Sequence, residues 1–135
     1  MLRRELFVSH RLSHHVITPL ATLQELDAAL ARSSTSPVLI FKHSSTCGLS
    51  AMAAEEVTAW LDTAHIAAEV YVVDVRHSRP VSQAVAERLK VRHESPQVLL
   101  VQAGTVTWHR SHSGVTAAAI ERALSSAVPK ISRAQ

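Results

Sequence analysis

The sequence predicts an α/β fold, a four-stranded mixed sheet flanked by helices on both faces, and three observations predict it. Short apolar runs rich in β-branched residues alternate with segments of helical period. Val38 to Phe41 is apolar throughout, as in a central strand covered on both faces. The runs Gln97 to Gln102 and Thr105 to Arg110 are separated only by Ala103-Gly104, which calls for an antiparallel hairpin with Gly104 supplying a positive φ. A βαβ unit followed by a hairpin and a last helix closes into such a sheet.

In chain order, residues 1–20 are rich in His and Arg without a clean period and are expected to form an arm, with Ile17 and Leu20 reaching the core. Thr22-Leu23-Gln24-Glu25 reads as a capping box, and Leu23, Leu26 and Leu30 recur at helical spacing, so a helix is expected over 22–33. Strand Val38 to Phe41 follows. Leu49, Met52, Ala53, Val57, Trp60, Leu61 and Ala64 then fall on one face of a helix over 47–64, an expected core stripe. Glu69 to Val75 is a β-branched strand. Ser78-Arg79-Pro80 opens a third helix with Val81, Ala84, Val85 and Leu89 inward. After the hairpin, with Trp108 expected in the core, Thr116 caps a helix to about Ala127, with Val115 and Ile120 as a hydrophobic staple and Ile120, Leu124 and Val128 inward. Pro129 ends it. The expected organisation is therefore an arm (1–20), a domain (21–128) and a tail (129–135).

Composition narrows the function. Fourteen basic against eleven acidic residues give a formal charge of +3, mild and diffuse along the chain. That fits an anionic small ligand or acidic partner better than nucleic acid, and two Phe, two Trp and one Tyr are too few for a base-stacking platform. No run approaches the roughly 18 apolar residues that span a bilayer, so no membrane partner is expected. Arg3 and Arg4 precede no apolar stretch of signal-peptide type. His10, His14 and His15 lack an accompanying cysteine or carboxylate cluster, so no metal site is expected. A lone cysteine makes no internal disulfide, and a reducing, cytoplasmic location is the expectation.

That cysteine, Cys47, stands where the Val38 strand meets the following helix. A thiol at a helix N-terminus faces unpaired N–H groups and the positive end of the helix dipole, both of which favour the thiolate, the nucleophilic form. The plain alternative is a small buried apolar residue. The polar approach Ser44-Ser45-Thr46 argues against deep apolar burial. In α/β sheets the crevice beyond the strand C-termini is the ordinary ligand position.

The element order is that of the thioredoxin-like fold. Three stretches, Phe41 to Ser50 (Phe-Lys-His-Ser-Ser-Thr-Cys-Gly-Leu-Ser), Val91 to Gln97 (Val-Arg-His-Glu-Ser-Pro-Gln) and Trp108 to His112, resemble the YtxJ family, the monothiol bacilliredoxins of bacteria that use bacillithiol. The resemblance covers about residues 22–128. It implies that Cys47 is the catalytic nucleophile, attacking the bacillithiol sulfur of a bacillithiolated client protein. It implies no tightly bound cofactor, with bacillithiol as co-substrate, and a low-molecular-weight thiol or a protein thiol to clear the adduct. Thr46, Gly48 and Ser50 would complete the thiol site. The family usually carries Thr-Cys-Pro-x-Ser, and Gly48 departs from it. Ser50 stands where a dithiol thioredoxin has its second cysteine, so no internal thiol resolves the mixed disulfide; otherwise it is an ordinary first-turn residue. The resemblance further implies a cis Ser95–Pro96 bond facing Cys47. His43, Arg92, His93 and Glu94 would flank the crevice, where cationic groups suit the carboxylates of bacillithiol's malate part. Each taken alone also reads as solvated surface charge, and His112 reads equally as a site or a surface residue.

Two other functions stay open at this point. Cys47-Gly48-Leu49-Ser50 also resembles the Cys-Gly-Phe-Ser motif of monothiol glutaredoxins that carry an iron–sulfur cluster. Against it, the chain has three glycines and no Gly-Gly pair after the proline strand. The other is a non-catalytic thioredoxin-like adapter whose cysteine is incidental.

Overall fold

A computed structural model describes residues 17–64 and 68–127. The expectations for His10, His14 and His15, for Val128 and Pro129, and for most of the arm and the tail lie outside the described residues. The elements are β1 (Ile17–Pro19), α1 (Leu23–Arg32), β2 (Val38–His43), α2 (Gly48–Thr63), β3 (Glu69–Asp74), α3 (Arg79–Leu89), β4 (Gln97–Gln102), β5 (Thr105–Ser111) and α4 (Ala117–Ala127), with a 3₁₀ turn, His112–Gly114, before the last helix.

The sheet has five strands in the order β1-β3-β2-β4-β5, not the four expected. The addition is β1, which pairs in parallel with β3 from Ile17 opposite Val70 to Pro19 opposite Val72. Three residues are too few to display a strand alternation, and Pro19 argues against a strand in sequence. At a sheet edge the missing proline N–H costs no ladder bond. Ile17 and Leu20 are both buried, as expected of them.

β2 is the central strand and buried along its whole length. It runs parallel to β3 on one side and antiparallel to β4 on the other. Its side chains alternate between two cores. Leu39 and Phe41 meet Val57, Trp60 and Leu61 of α2 and Ile120 and Leu124 of α4. Val38 and Ile40 meet Leu26 and Ala29 of α1 and Val81, Val85 and Leu89 of α3. The expected apolar strand ended at Phe41; the ladder continues through Lys42 and His43 because both still pair with β3.

The capping box forms at α1: Thr22 Oγ1 accepts from Glu25 N at 3.0 Å, and Glu25 Oε1 accepts from Thr22 N at 3.2 Å. Leu26 faces inward, whereas Leu23, in the first turn, is exposed. An Arg88–Asp27 ion pair joins α1 to α3 across their outer surfaces. On α2 the expected stripe needs one correction: Met52 is 63 % exposed. At 3.6 residues per turn, Met52 lies about 130° round the helix from the stripe's centre, whereas Ser50 falls on the stripe and packs inward. Ser50 is fully buried.

Ala103 and Gly104 both take positive φ, 52° and 77°, as a two-residue hairpin of primed type requires. The turn is tied to the end of α1, for Ala103 N donates to Ser33 O at 2.7 Å and Gly104 N to Ser33 Oγ at 2.9 Å. A register shift near Leu100 brings Trp108 opposite Leu100. Trp108 packs only part-buried at the edge of the α2/α4 core, with the Arg110 guanidinium 5.3 Å from its ring centre. At α4, Thr116 Oγ1 accepts from Ala119 N at 3.1 Å, and Glu56 of α2 accepts from Ala117 N at 2.8 Å. Val115 and Ile120, the expected staple, are both buried. No described helix is long and apolar enough to cross a membrane.

Leu124 docks α4 on the sheet and is fully buried. Leu124→Ala should cost about 2–5 kcal/mol in urea unfolding, the range for a fully buried leucine that leaves a cavity.

Candidate functional site

The β2–β4 register builds the site. Lys42 pairs with Gln97, so the end of β2 and the start of β4 meet at one edge of the sheet. The segment Ser44–Cys47 leaves β2 at that edge, and Ser95–Pro96 enters β4 there. The Ser95–Pro96 bond is cis. His112 N donates to Pro96 O at 2.9 Å, which fixes the 3₁₀ turn beside the proline.

Cys47 is the N-cap of α2, with extended φ and ψ of −106° and 125°, and is partly exposed. Its carbonyl accepts from Ala51 N at 3.1 Å, beginning the helix. The Ser50 backbone N–H first, then that of Leu49, and the Ser50 hydroxyl hold the Cys47 thiol below its ordinary pKa, against a small opposing effect of burial. These amides do not reach Sγ with the geometry of a full capping hydrogen bond, so the effect is that of a helix N-terminus acting on a nearby charge.

Ser50 does more than occupy a helix turn. Its Oγ accepts from Ser44 N at 3.2 Å, which folds the approach loop onto α2. Thr46 is exposed, and its Oγ1 lies 3.3 Å from Ser44 Oγ. At Gly48 an added Cβ would meet nothing within 4 Å. Gly48 is the first residue of α2, where the proline usual in the family would also be accommodated, so the departure leaves the helix start intact.

The other expected residues divide between two faces. His43 is buried, its ring 5.5 Å from that of Phe41, so it is not the surface group expected at the crevice. Strand alternation turns it to the α2/α4 face. Arg92 is exposed and its carbonyl accepts from Gln97 Nε2 at 3.1 Å. His93 turns to α3, with Nδ1 3.4 Å from Ser82 Oγ. Burial, and then the Lys42 charge, lower the His93 pKa, with Glu94 opposing. Glu94 turns to β5. A side-chain hydrogen bond from Ser111 holds its carboxyl below the usual range, and His112 lies 3.9 Å away. His112, ambiguous in sequence, therefore sits at the cis-proline edge with an exposed ring.

Two residues near this edge had no role in the sequence reading. Lys42 is fully buried, and Nζ has no hydrogen-bond partner. Gln97 opposite it has a buried Oε1 without one. Burial lowers the Lys42 pKa to about 8. The signal was a lysine in step with Val38 and Ile40 in an otherwise apolar strand. The second is Arg76, whose Nη1 donates to Thr46 Oγ1 at 3.1 Å. Its signal was Asp74 at the end of a strand, a residue that turns the following backbone toward itself. Among the described residues no group of three metal-ligating side chains stands together.

Two outcomes follow. Iodoacetamide alkylation of Cys47 should titrate below the ordinary value of about 8.5, and Ser50→Ala should raise that midpoint without restoring it fully, because the Leu49 and residue-50 amides remain. Lys42 binds its proton less tightly folded than unfolded, so the cost is fully present below pH 8 and is relieved as pH rises toward the ordinary lysine value. Urea unfolding should therefore show stability rising above pH 8, by up to about 3 kcal/mol from this group. Lys42→Met should remove that part of the rise.

Residues 18–120 match the family described as monothiol bacilliredoxin BrxC. Among solved structures, a putative oxidoreductase with a thioredoxin fold, 25 % identical, aligns with a TM-score of 0.72 over 79 % of this chain and 92 % of that one. A Malassezia sympodialis thioredoxin, 15 % identical, aligns with a TM-score of 0.68 over 84 % and 92 %. A mutant thioredoxin from Halobacterium salinarum, 21 % identical, aligns with a TM-score of 0.62 over 82 % and 88 %. The fold is the thioredoxin fold, its chemistry that of a redox thiol, and the chain belongs to the monothiol bacilliredoxin family.

Proposed function

We propose that this protein removes bacillithiol from protein mixed disulfides through Cys47. The observation that carries the reading is a thiol at the N-cap position of α2 with a lowered pKa, with a buried serine three residues on in place of a second cysteine. The Cys47 thiolate attacks the bacillithiol sulfur. A disulfide forms between Cys47 and bacillithiol, the bond to the client sulfur breaks, and the client leaves as a thiolate that takes a proton from water. Electrons are exchanged among sulfurs only, so no cofactor enters and bacillithiol is a co-substrate. A low-molecular-weight thiol or a second protein must then clear the adduct, which suits a reducing cytoplasm. The cis-proline segment at the same sheet edge is the natural place for the client backbone.

Intact-mass spectrometry after reaction with a bacillithiolated client tests this. Wild type should free the client thiol and accumulate as a one-to-one bacillithiol adduct. Cys47→Ser should do neither, because an alcohol does not take part in thiol–disulfide exchange. Ser50→Cys should lower the accumulation by offering an internal resolving thiol. A wild type that forms no adduct while the client keeps its bacillithiol would favour the non-catalytic adapter instead.

A further inference from the structure

The connection from β3 to α3 brings a cation to the nucleophile. Its fold is set by Asp74, the last residue of β3. Asp74 Oδ1 accepts from Arg76 N at 3.0 Å and from His77 N at 3.1 Å, and Oδ2 lies 2.9 Å from His77 Nδ1. Burial alone would raise the Asp74 pKa, but the His77 and Arg76 hydrogen bonds outweigh it and keep the group a carboxylate. Val75 N donates to His43 O at 3.0 Å, which anchors the same connection to the end of β2. From this turn Arg76 reaches Thr46, thirty positions away in sequence, next to Cys47.

The bond to Thr46 uses one of the five N–H donors of the guanidinium. Arg76 is exposed, and among the described residues it ion-pairs with no carboxylate. The nearest acid along the chain, Asp74, has both oxygens engaged by backbone N–H groups and the His77 ring. A guanidinium with free donors, held in place one residue from a nucleophilic sulfur, suits a carboxylate carried by whatever that sulfur binds. Two of the residues first expected to supply positive charge are placed otherwise, for His43 is buried in the sheet and His93 turns to α3, while Arg92 is exposed on the 91–96 segment.

We infer that Arg76 is the specificity residue that binds a carboxylate of the small thiol whose sulfur becomes joined to Cys47. The inference rests on the reading of Cys47 as the thiol that takes up bacillithiol, and it names the group that would recognise the malate carboxylates. In the exchange, the Cys47 Sγ bond to the small thiol's sulfur forms as the bond from that sulfur to the client sulfur breaks. The electron pair leaves on the client sulfur, which is protonated by water. Arg76 takes no part in these bond changes; it orients the small thiol and favours disulfides whose small half is anionic.

The test uses one client protein prepared as three mixed disulfides: with bacillithiol, with glutathione and with mercaptoethanol, which carries no carboxylate. Release of client thiol is followed for wild type, Arg76→Gln and Arg76→Lys. Arg76→Gln should lower kcat/KM for the two carboxylate-bearing disulfides about tenfold, mainly through KM, the effect of losing one charge-assisted contact. It should leave the mercaptoethanol disulfide within about twofold. Arg76→Lys should recover part of the loss, and added salt should narrow the wild-type preference. Equal slowing on all three disulfides would overturn the inference and leave Arg76 a residue that only positions Thr46. No slowing on any would also overturn it. If wild type acts on the glutathione and mercaptoethanol disulfides but not on the bacillithiol one, the bacillithiol reading fails, while the glutathione-to-mercaptoethanol ratio still decides Arg76. A wild type inert to all three overturns both.

Discussion

The antiparallel seam between β2 and β4 is the constraint from which the site follows. Because Lys42 stands opposite Gln97, β2 ends where β4 begins, at one edge of the sheet. A strand that leaves the sheet at that edge must turn into α2, and a strand that enters there must come from the 91–96 segment. A slip of one residue in this register would exchange the faces of Leu39 and Ile40 and tear both cores, so burial on both sides holds the register and thereby the site. Cys47 and the cis proline are brought to one edge by hydrophobic packing several residues away from either.

Electrostatics near that edge is separated by the sheet. On the α2 side, backbone amides and the Ser50 hydroxyl favour a negative sulfur. On the α1/α3 side, Lys42 is buried with its Nζ unpartnered, and burial first, then the Lys42 charge, bias His93 toward the neutral form. A lysine that disfavours its own charge in an otherwise apolar strand is a destabilising choice for the fold. Its position next to the site's edge fits a pattern in which folds give up stability at functional places.

Much of the architecture was legible because its determinants are local. The capping box at Thr22, the proline in the first turn of α3 and the positive φ at Gly104 each follow from chemistry within four residues, whereas the positive φ of Ala103 shows only in the fold. β1 was not legible, because a three-residue parallel edge strand gains its order from β3 and carries no alternation of its own. Met52 was read into the core stripe as an apolar residue near it, though its angle round the helix points it to solvent. For the site, Cys47 and its helix start could be read directly, since the helix N-terminus is adjacent in sequence. Arg76 could not, because its partner is brought near only when β2 and β3 pair. His43 was misplaced for a related reason: the strand runs two residues further than its apolar run, so a polar residue expected outside the sheet lies within it.

Ser33 closes the opposite end of the molecule. Through its carbonyl and its hydroxyl it holds the Ala103-Gly104 turn against the end of α1. Hairpin tips are the usual points where a chain accepts a graft, a tag or a new terminus. Here both N–H groups of the tip point inward to a serine that is itself buried. Extra residues at this turn would have to break two hydrogen bonds and expose the α1–β2 corner. The hairpin therefore behaves as a fastening between the antiparallel half of the sheet and its first helix, and a poor place to splice.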